Sequence, residues 1–169
     1  MWLEREVLIA PDPKEGSNTY FLTRRGRKLL KRPDLAAYRN SNLLPKSILH
    51  PLLTEKIWGP FLRGEYDTAV FISFREVEVA VRDAAGYDST YYGVDLMSAA
   101  FKPESGPLAN KDLPNSEQQA LMLLFRGAIG YYKNPQSHRI TPLQPIEAIE
   151  MITFASHLLK IIDLNKPKY

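Results

Sequence analysis

The stretch from Tyr66 to Ala85 constrains this chain more than any other. Its apolar residues Ala69, Val70, Phe74, Val77 and Val81 recur every three to four positions, and Gly86 follows as a natural stop. A segment of that period and length is a helix that must bury one face against other helices. The same period continues on both sides of it. Pro45-Lys46-Ser47 opens a segment in which Ile48, Leu49, Leu52, Leu53, Ile57 and Phe61 fall at helical spacing, broken at Gly59-Pro60. A shorter helix is predicted over Val94–Phe101, and a loop over 102–115. Another helix, capped by Asn115 or Ser116, runs to about Tyr132 with Leu121, Leu124, Phe125, Ala128 and Ile129 inward. The last starts at Pro145, a good first-turn residue, and runs to about Ile162. Residues 46–164 therefore read as a mainly α domain, a bundle of about five helices.

The front of the chain has a different pattern. Val7-Leu8-Ile9-Ala10 and Thr19-Tyr20-Phe21-Leu22 are short β-prone runs around a Pro/Gly/Ser/Asn loop, and Thr23 can cap a helix through Arg24–Lys31. This β-hairpin with a basic helix, residues 1–32, resembles the wing of a winged-helix domain without its recognition helix. Residues 33–45 form a polar linker.

Charge follows the same division. The net charge is +3, but residues 1–63 carry 12 Lys+Arg against 6 Asp+Glu, a balance of +6, and the remainder carries 10 against 13. Six cations fall within Arg24–Arg32, and Arg24, Arg25, Arg27 and Lys28 are the candidate nucleic-acid contacts, to RNA or to DNA. A solvated helix face accounts for that run equally well. With no cysteine there is no disulfide, thiolate nucleophile or cysteine metal site. His50 and His157 have no carboxylate or histidine at metal-ligand spacing, so no metal and no cofactor are expected. No signal peptide and no run of the roughly 18 apolar residues needed for a membrane span is read, which makes the cytoplasm the expected compartment.

One short segment has the parts for chemistry. Lys133-Asn134-Pro135-Gln136-Ser137-His138 ends one helix and precedes another. Histidine moves protons near neutral pH, and a cation beside it neutralises phosphate. Arg126, seven residues before Lys133, is expected on the same helix face, and Arg139 adds a third cation. Tyr131 and Tyr132 offer aromatic surface for base stacking. A structural account exists too: lysine at a helix C-terminus, asparagine in the cap and proline forbidding continuation make a good helix stop, and the tyrosines suit core or dimer packing. Glu76, Glu78 and Arg82 interrupt the apolar face of the central helix. They read first as surface charges, with Glu78 approaching His138 as a further reading.

Several motifs are similar to the Ymh family of hypothetical proteins. They are Leu49-His50-Pro51, Gly64-Glu65-Tyr66-Asp67-Thr68-Ala69-Val70, Glu76-Val77-Glu78-Val79-Ala80-Val81-Arg82, Gly93-Val94-Asp95-Leu96-Met97 with Ala100-Phe101, Leu124-Phe125-Arg126-Gly127-Ala128-Ile129-Gly130 into Lys133 to Arg139, and Ala155-Ser156-His157-Leu158-Leu159. The resemblance spans about residues 45–164 and implies a HEPN-superfamily helical domain. That in turn implies a homodimer with an active cleft between protomers and a motif of arginine, a polar residue, a few variable residues and histidine. Carried onto this chain, the motif makes Lys133, Asn134 and His138 the catalytic set; Arg126, Arg139 and Tyr132, read from their spacing around it, are the candidate substrate-binding residues. Lys133 keeps the charge of the family's arginine but not its bidentate fork. Two functions follow as expectations. One is a metal-independent endoribonuclease acting in phage defence or a toxin–antitoxin system. The other is a non-catalytic nucleic-acid-binding or regulatory dimerisation module.

Overall fold

The computed structural model describes residues 2–13, 19–30, 43–133 and 143–166. The chain divides into two compact units, residues 1–39 and 40–169. Seven α-helices and one two-stranded sheet are present among the described residues.

In the first unit, α1 (Trp2–Arg5) leads into β1 (Ile9–Pro11), which pairs antiparallel with β2 (Tyr20–Leu22), Ile9 opposite Leu22. β1 starts two residues later than the sequence predicts because Val7 takes φ +56, a left-handed backbone incompatible with a strand. α2 (Arg24–Leu30) follows. Thr23 caps it as expected: its Oγ1 accepts from the Gly26 N–H at 3.1 Å. The same hydroxyl donates to the Val7 carbonyl at 2.7 Å, fastening the helix start to the turn before β1.

The second unit is the helical body. A 3₁₀ turn at Lys46–Ile48 precedes α3 (Pro51–Leu62), and then come α4 (Tyr66–Ala85), α5 (Gly93–Ala100), α6 (Asn115–Ala128) and α7 (Pro145–Asn165). α4 is the hub, packing against α3, α5 and α7. Its Ala69, Val70, Phe74, Val77 and Val81 are fully buried, with Ile57, Phe61, Leu96, Phe125 and Ile152 among their neighbours in one core. Truncating a core side chain such as Phe74 to alanine would cost about 3–5 kcal/mol.

Four expectations are corrected. α3 is not broken at Gly59-Pro60. Proline this near a helix end removes one hydrogen bond only, and Arg63 N–H to Gly59 O (3.2 Å) and Glu65 N–H to Pro60 O (3.0 Å) close the last turn. The helical segment opened by Pro45-Lys46-Ser47 is not continuous from Ile48 to Leu52. The backbone is extended at Leu49 and His50, which breaks the helical period before Pro51 and leaves both side chains more than 40 % exposed. Leu124 is likewise 40 % exposed, while Phe125 beside it is buried and stacked on Phe101 with centroids 4.1 Å apart. Finally, α6 does not run unchanged to Tyr132, because Ile129–Lys133 is a π-helical turn.

Candidate active site

The π-helical turn determines where Lys133 goes. Such wide turns concentrate at functional sites because they shift the phase of the residues beyond them. Here Ile129 is buried, and the Tyr132 ring stacks on Phe74 (4.9 Å, 8°) and meets Phe154 edge-on (5.8 Å, 64°). With those two residues anchored in the core, Lys133 is delivered against α4. Tyr131, edge-on to Tyr132 at 4.9 Å, remains 73 % exposed.

Lys133 meets Glu78. Its Nζ donates to Glu78 Oε2 at 2.9 Å, and Arg82 Nη2 donates to Oε1 at 3.0 Å. The backbone N–H of Gly93 donates to Oε2 as well, at 3.0 Å. Glu78 is 7 % exposed at the side chain, Lys133 19 % and Arg82 20 %. Burying a carboxylate is costly unless charges and donors surround it, and three donors do so here. Two cations thus meet on one buried carboxylate. Arg82 Nε also donates to the Tyr91 carbonyl at 2.9 Å, so the cluster ties the α4–α5 loop to α4. Gly93 fits this arrangement because its φ is +60, a backbone that presents its N–H to Glu78 and that other residues rarely adopt.

The position of Glu78 follows from helical geometry. Glu76 and Glu78 lie one residue either side of Val77, so at about 100° per residue they flank the apolar stripe on opposite sides. Because α4 is packed on several sides, both flanks are covered. The surface reading of these acids is therefore corrected: both are buried, Glu76 pairing with Lys56 Nζ at 2.7 Å.

Of the other expected site residues, Asn134, His138 and Arg139 lie outside the described residues, and with them the approach of Glu78 to His138. Arg126 is exposed on α6. The π-helical turn between it and Lys133 alters the seven-residue phase, so it does not share the buried setting of Lys133. Tyr132 has one ring face on Phe74 and lies partly buried. Arg24, Arg25, Arg27 and Lys28 are exposed on α2 in the first unit. Arg27 Nε donates to the Leu22 carbonyl at 3.2 Å, and Arg25 lies 3.9 Å from Glu6.

A second polar cluster escapes sequence reasoning altogether. His50 stands at the N-cap of α3, where its Nδ1 accepts from the Leu52 N–H at 3.3 Å and its Nε2 lies 2.7 Å from Asp163 Oδ2. Ser156 Oγ accepts from the His50 backbone N–H at 2.8 Å. The serine thus bonds the backbone and not the imidazole, so the trio ties α3 to α7 and is not a nucleophile–base pair. Lys166 foremost, and then His50, hold the Asp163 carboxyl below its ordinary range. Among the described residues no group of three His, Cys, Asp or Glu is placed to hold a metal ion, and no helix is long and apolar enough to cross a membrane.

The chain belongs to the family described as "Protein of unknown function (Hypoth_ymh)", whose profile matches residues 47–162. That range contains α3 to α6, most of α7, the buried Glu78 and Lys133. No curated protein and no solved structure matches the chain.

Proposed function

We propose that this member of the Hypoth_ymh family is a metal-independent endoribonuclease of the HEPN type. In this reading it acts as a cytoplasmic homodimer in phage defence or a toxin–antitoxin system. The observation that supports it best is the setting of Lys133. The first residue of the Lys-Asn-x-x-x-His segment is a cation anchored on a buried carboxylate that a second cation, Arg82, also meets. A preorganised positive site adjoining a histidine segment is what phosphodiester cleavage needs, because charge builds on the phosphorane oxygens.

In the proposed reaction His138 removes the proton of a 2′-hydroxyl, whose oxygen attacks the adjacent phosphorus. The P–O5′ bond breaks, and the leaving oxygen receives a proton from the partner's His138. Lys133 stabilises the phosphorane charge, Asn134 orients the segment, and Arg126, Arg139 and Tyr132 hold the substrate. Glu78 and Arg82 set the position of Lys133. The basic α2 adds contact to RNA or DNA in the manner of a winged-helix wing.

The second reading is a non-catalytic nucleic-acid-binding or regulatory dimerisation module. Two observations favour it. The Lys133 ammonium is already opposed by a carboxylate, and one face of Tyr132 is occupied by Phe74. Purified wild-type and His138→Ala proteins, incubated in EDTA with a mixed RNA pool, separate the two. Cleavage by the wild type alone supports the enzyme. Equal cleavage by both, or by neither, supports the module.

A further inference from the structure

The two-stranded sheet of the first unit has an open edge along β2. Antiparallel strands alternate between bonded and unbonded residue pairs. The Asp12 N–H donates to the Thr19 carbonyl at 2.8 Å and the Thr23 N–H to the Leu8 carbonyl at 3.0 Å. With Ala10 opposite Phe21, the residues that face β1 through their backbone are therefore Thr19, Phe21 and Thr23. Tyr20 and Leu22 turn their N–H and C=O groups away from it. Of these four groups only the Leu22 carbonyl has a partner among the described residues, accepting from Arg27 Nε at 3.2 Å. The outer edge of β1 is interrupted by Pro11, which has no N–H to offer. The side chains of β2 are open too, with Tyr20 and Phe21 41 % and Leu22 39 % exposed. An unpaired edge of this kind is a template for a further strand.

What can occupy the edge is set by α2. Gly26 faces the sheet, so close to the Leu8 carbonyl that a Cβ would not fit, and Thr23 ties the helix start to Val7. At about 100° per residue, Arg27, Arg24 and Lys28 follow one another within an arc of about 100° on one side of Gly26. Arg25 falls on the other side, toward Glu6. The bond from Arg27 to Leu22 makes the side with three cations the side of the open edge. A strand laid along β2 and continued past Leu22 meets those cations. Nucleic acid would satisfy the charge but has no row of alternating N–H and C=O groups for the edge. A second copy would bring the row without an acid: Gly16-Ser17-Asn18-Thr19 before its β2 carry none, and the same basic helix follows it.

We propose that β2 accepts an extended acidic peptide as a third strand. The peptide backbone pairs with the Tyr20 N–H and C=O and with the Leu22 N–H, and its carboxylates meet Arg24, Arg27 and Lys28 at the Leu22 end. The site does not depend on the protein being a ribonuclease. A peptide seated there covers cations that α2 would otherwise offer to nucleic acid.

The test is fluorescence anisotropy of the full chain with a labelled peptide of about eight residues, alternating valine and threonine, with glutamates at both ends so that either strand direction can pair. Exchanging the glutamates for lysines is expected to weaken binding at least about tenfold. N-methylation of every valine and threonine amide removes the donors but not the charge, and should weaken it at least about fivefold. Leu22→Pro deletes one outward N–H without touching the β1 pairing, for an expected loss of about 2- to 10-fold. Arg24→Ala with Lys28→Ala keeps the Arg27 bond and should cost about 2- to 10-fold as well. No binding of the acidic peptide up to about 1 mM would overturn the proposal, as would equal binding of the lysine peptide. Equal binding of the N-methylated peptide would also overturn it and make the cations a polyanion surface only. Unchanged binding by a Leu22→Pro protein that melts like wild type would place the strand elsewhere. Self-association in light scattering that Leu22→Pro abolishes would give the edge to a second copy, again against the proposal. Loss of binding on both the backbone and the charge changes upholds it, whether or not the protein cleaves RNA.

Discussion

Lys133 reaches back across 55 residues of sequence to place its Nζ 2.9 Å from Oε2 of Glu78, a carboxylate buried on the flank of the central helix. This contact links the end of α6 to the middle of α4. It also fixes the start of the segment that carries His138. Because Arg82 and the Gly93 N–H share the same carboxylate, removing its charge would leave two cations facing each other.

Glu78→Gln is therefore expected to destabilise the fold. Breaking one partner out of a buried pair costs about 3–5 kcal/mol, and the lower end applies because Arg82 and Lys133 each keep about a fifth of their side-chain surface in water. Urea unfolding of the two proteins measures this. A loss below about 0.5 kcal/mol would mean that the carboxylate is not what holds Lys133.

Two glycine substitutions should act with opposite signs. A Cβ at Gly106 would stand 2.5 Å from the Ala100 carbonyl oxygen and 2.5 Å from the Lys102 nitrogen, both backbone atoms. Gly106→Ala should cost about 1–3 kcal/mol. Gly127 lies within α6 with nothing near its would-be Cβ, so Gly127→Ala should stabilise an isolated protomer by roughly 0.5–1 kcal/mol. Thermal unfolding checks both. A destabilised Gly127→Ala would place this face of α6 against another chain.

Asp163 gives a pH signature. Its pKa is depressed below 3.8, so the folded state binds that proton less readily than the unfolded one. The Asp163 interactions therefore add stability above about pH 4 and lose it as the pH falls through the lower folded value. The carboxylate is 46 % exposed, so solvent screening keeps the effect under about 1 kcal/mol. Wild type and Asp163→Asn should differ in urea midpoint near pH 5 and converge as the solution is acidified through the lowered folded-state pKa of Asp163. A difference that persists unchanged into strong acid would contradict this.

The basic helix predicts a salt dependence. Each phosphate contact to a single strand contributes about 0.7 to the slope of log affinity against log salt, so replacing Arg24, Arg25, Arg27 and Lys28 by alanine should flatten it by up to roughly 3. Anisotropy across a salt series measures the slope. If it does not change, α2 is a solvated face.

Much of the helical body was legible in the sequence because its apolar period is local. Tyr66–Ala85 starts and ends as read, and the Thr23 cap is where the sequence puts it. The errors arise where a local period meets a non-local constraint. Ile48 and Leu52 fit a helical template, but the chain is extended between them, and a π-helical turn after Ala128 has no periodic signature at all. The two polar clusters were the least legible. Glu78 meets Lys133 across 55 residues and His50 meets Asp163 across 113, and spacing cannot reveal either contact. Acids in the middle of an apolar helix were the one available signal for the first pair. At such positions a charge must find a partner or remain at the surface.

The ends left on cleaved RNA test the central claim most directly. Attack by a 2′-hydroxyl with loss of the 5′-oxygen leaves a 2′,3′-cyclic phosphate on one fragment and a 5′-hydroxyl on the other. The account predicts that the wild type produces these ends in EDTA and that His138→Ala produces none. Lys133→Ala should be slower by on the order of 10²–10³, and Lys133→Arg at least as fast as wild type. Cleavage that leaves 5′-phosphates, or that persists in His138→Ala, would contradict it.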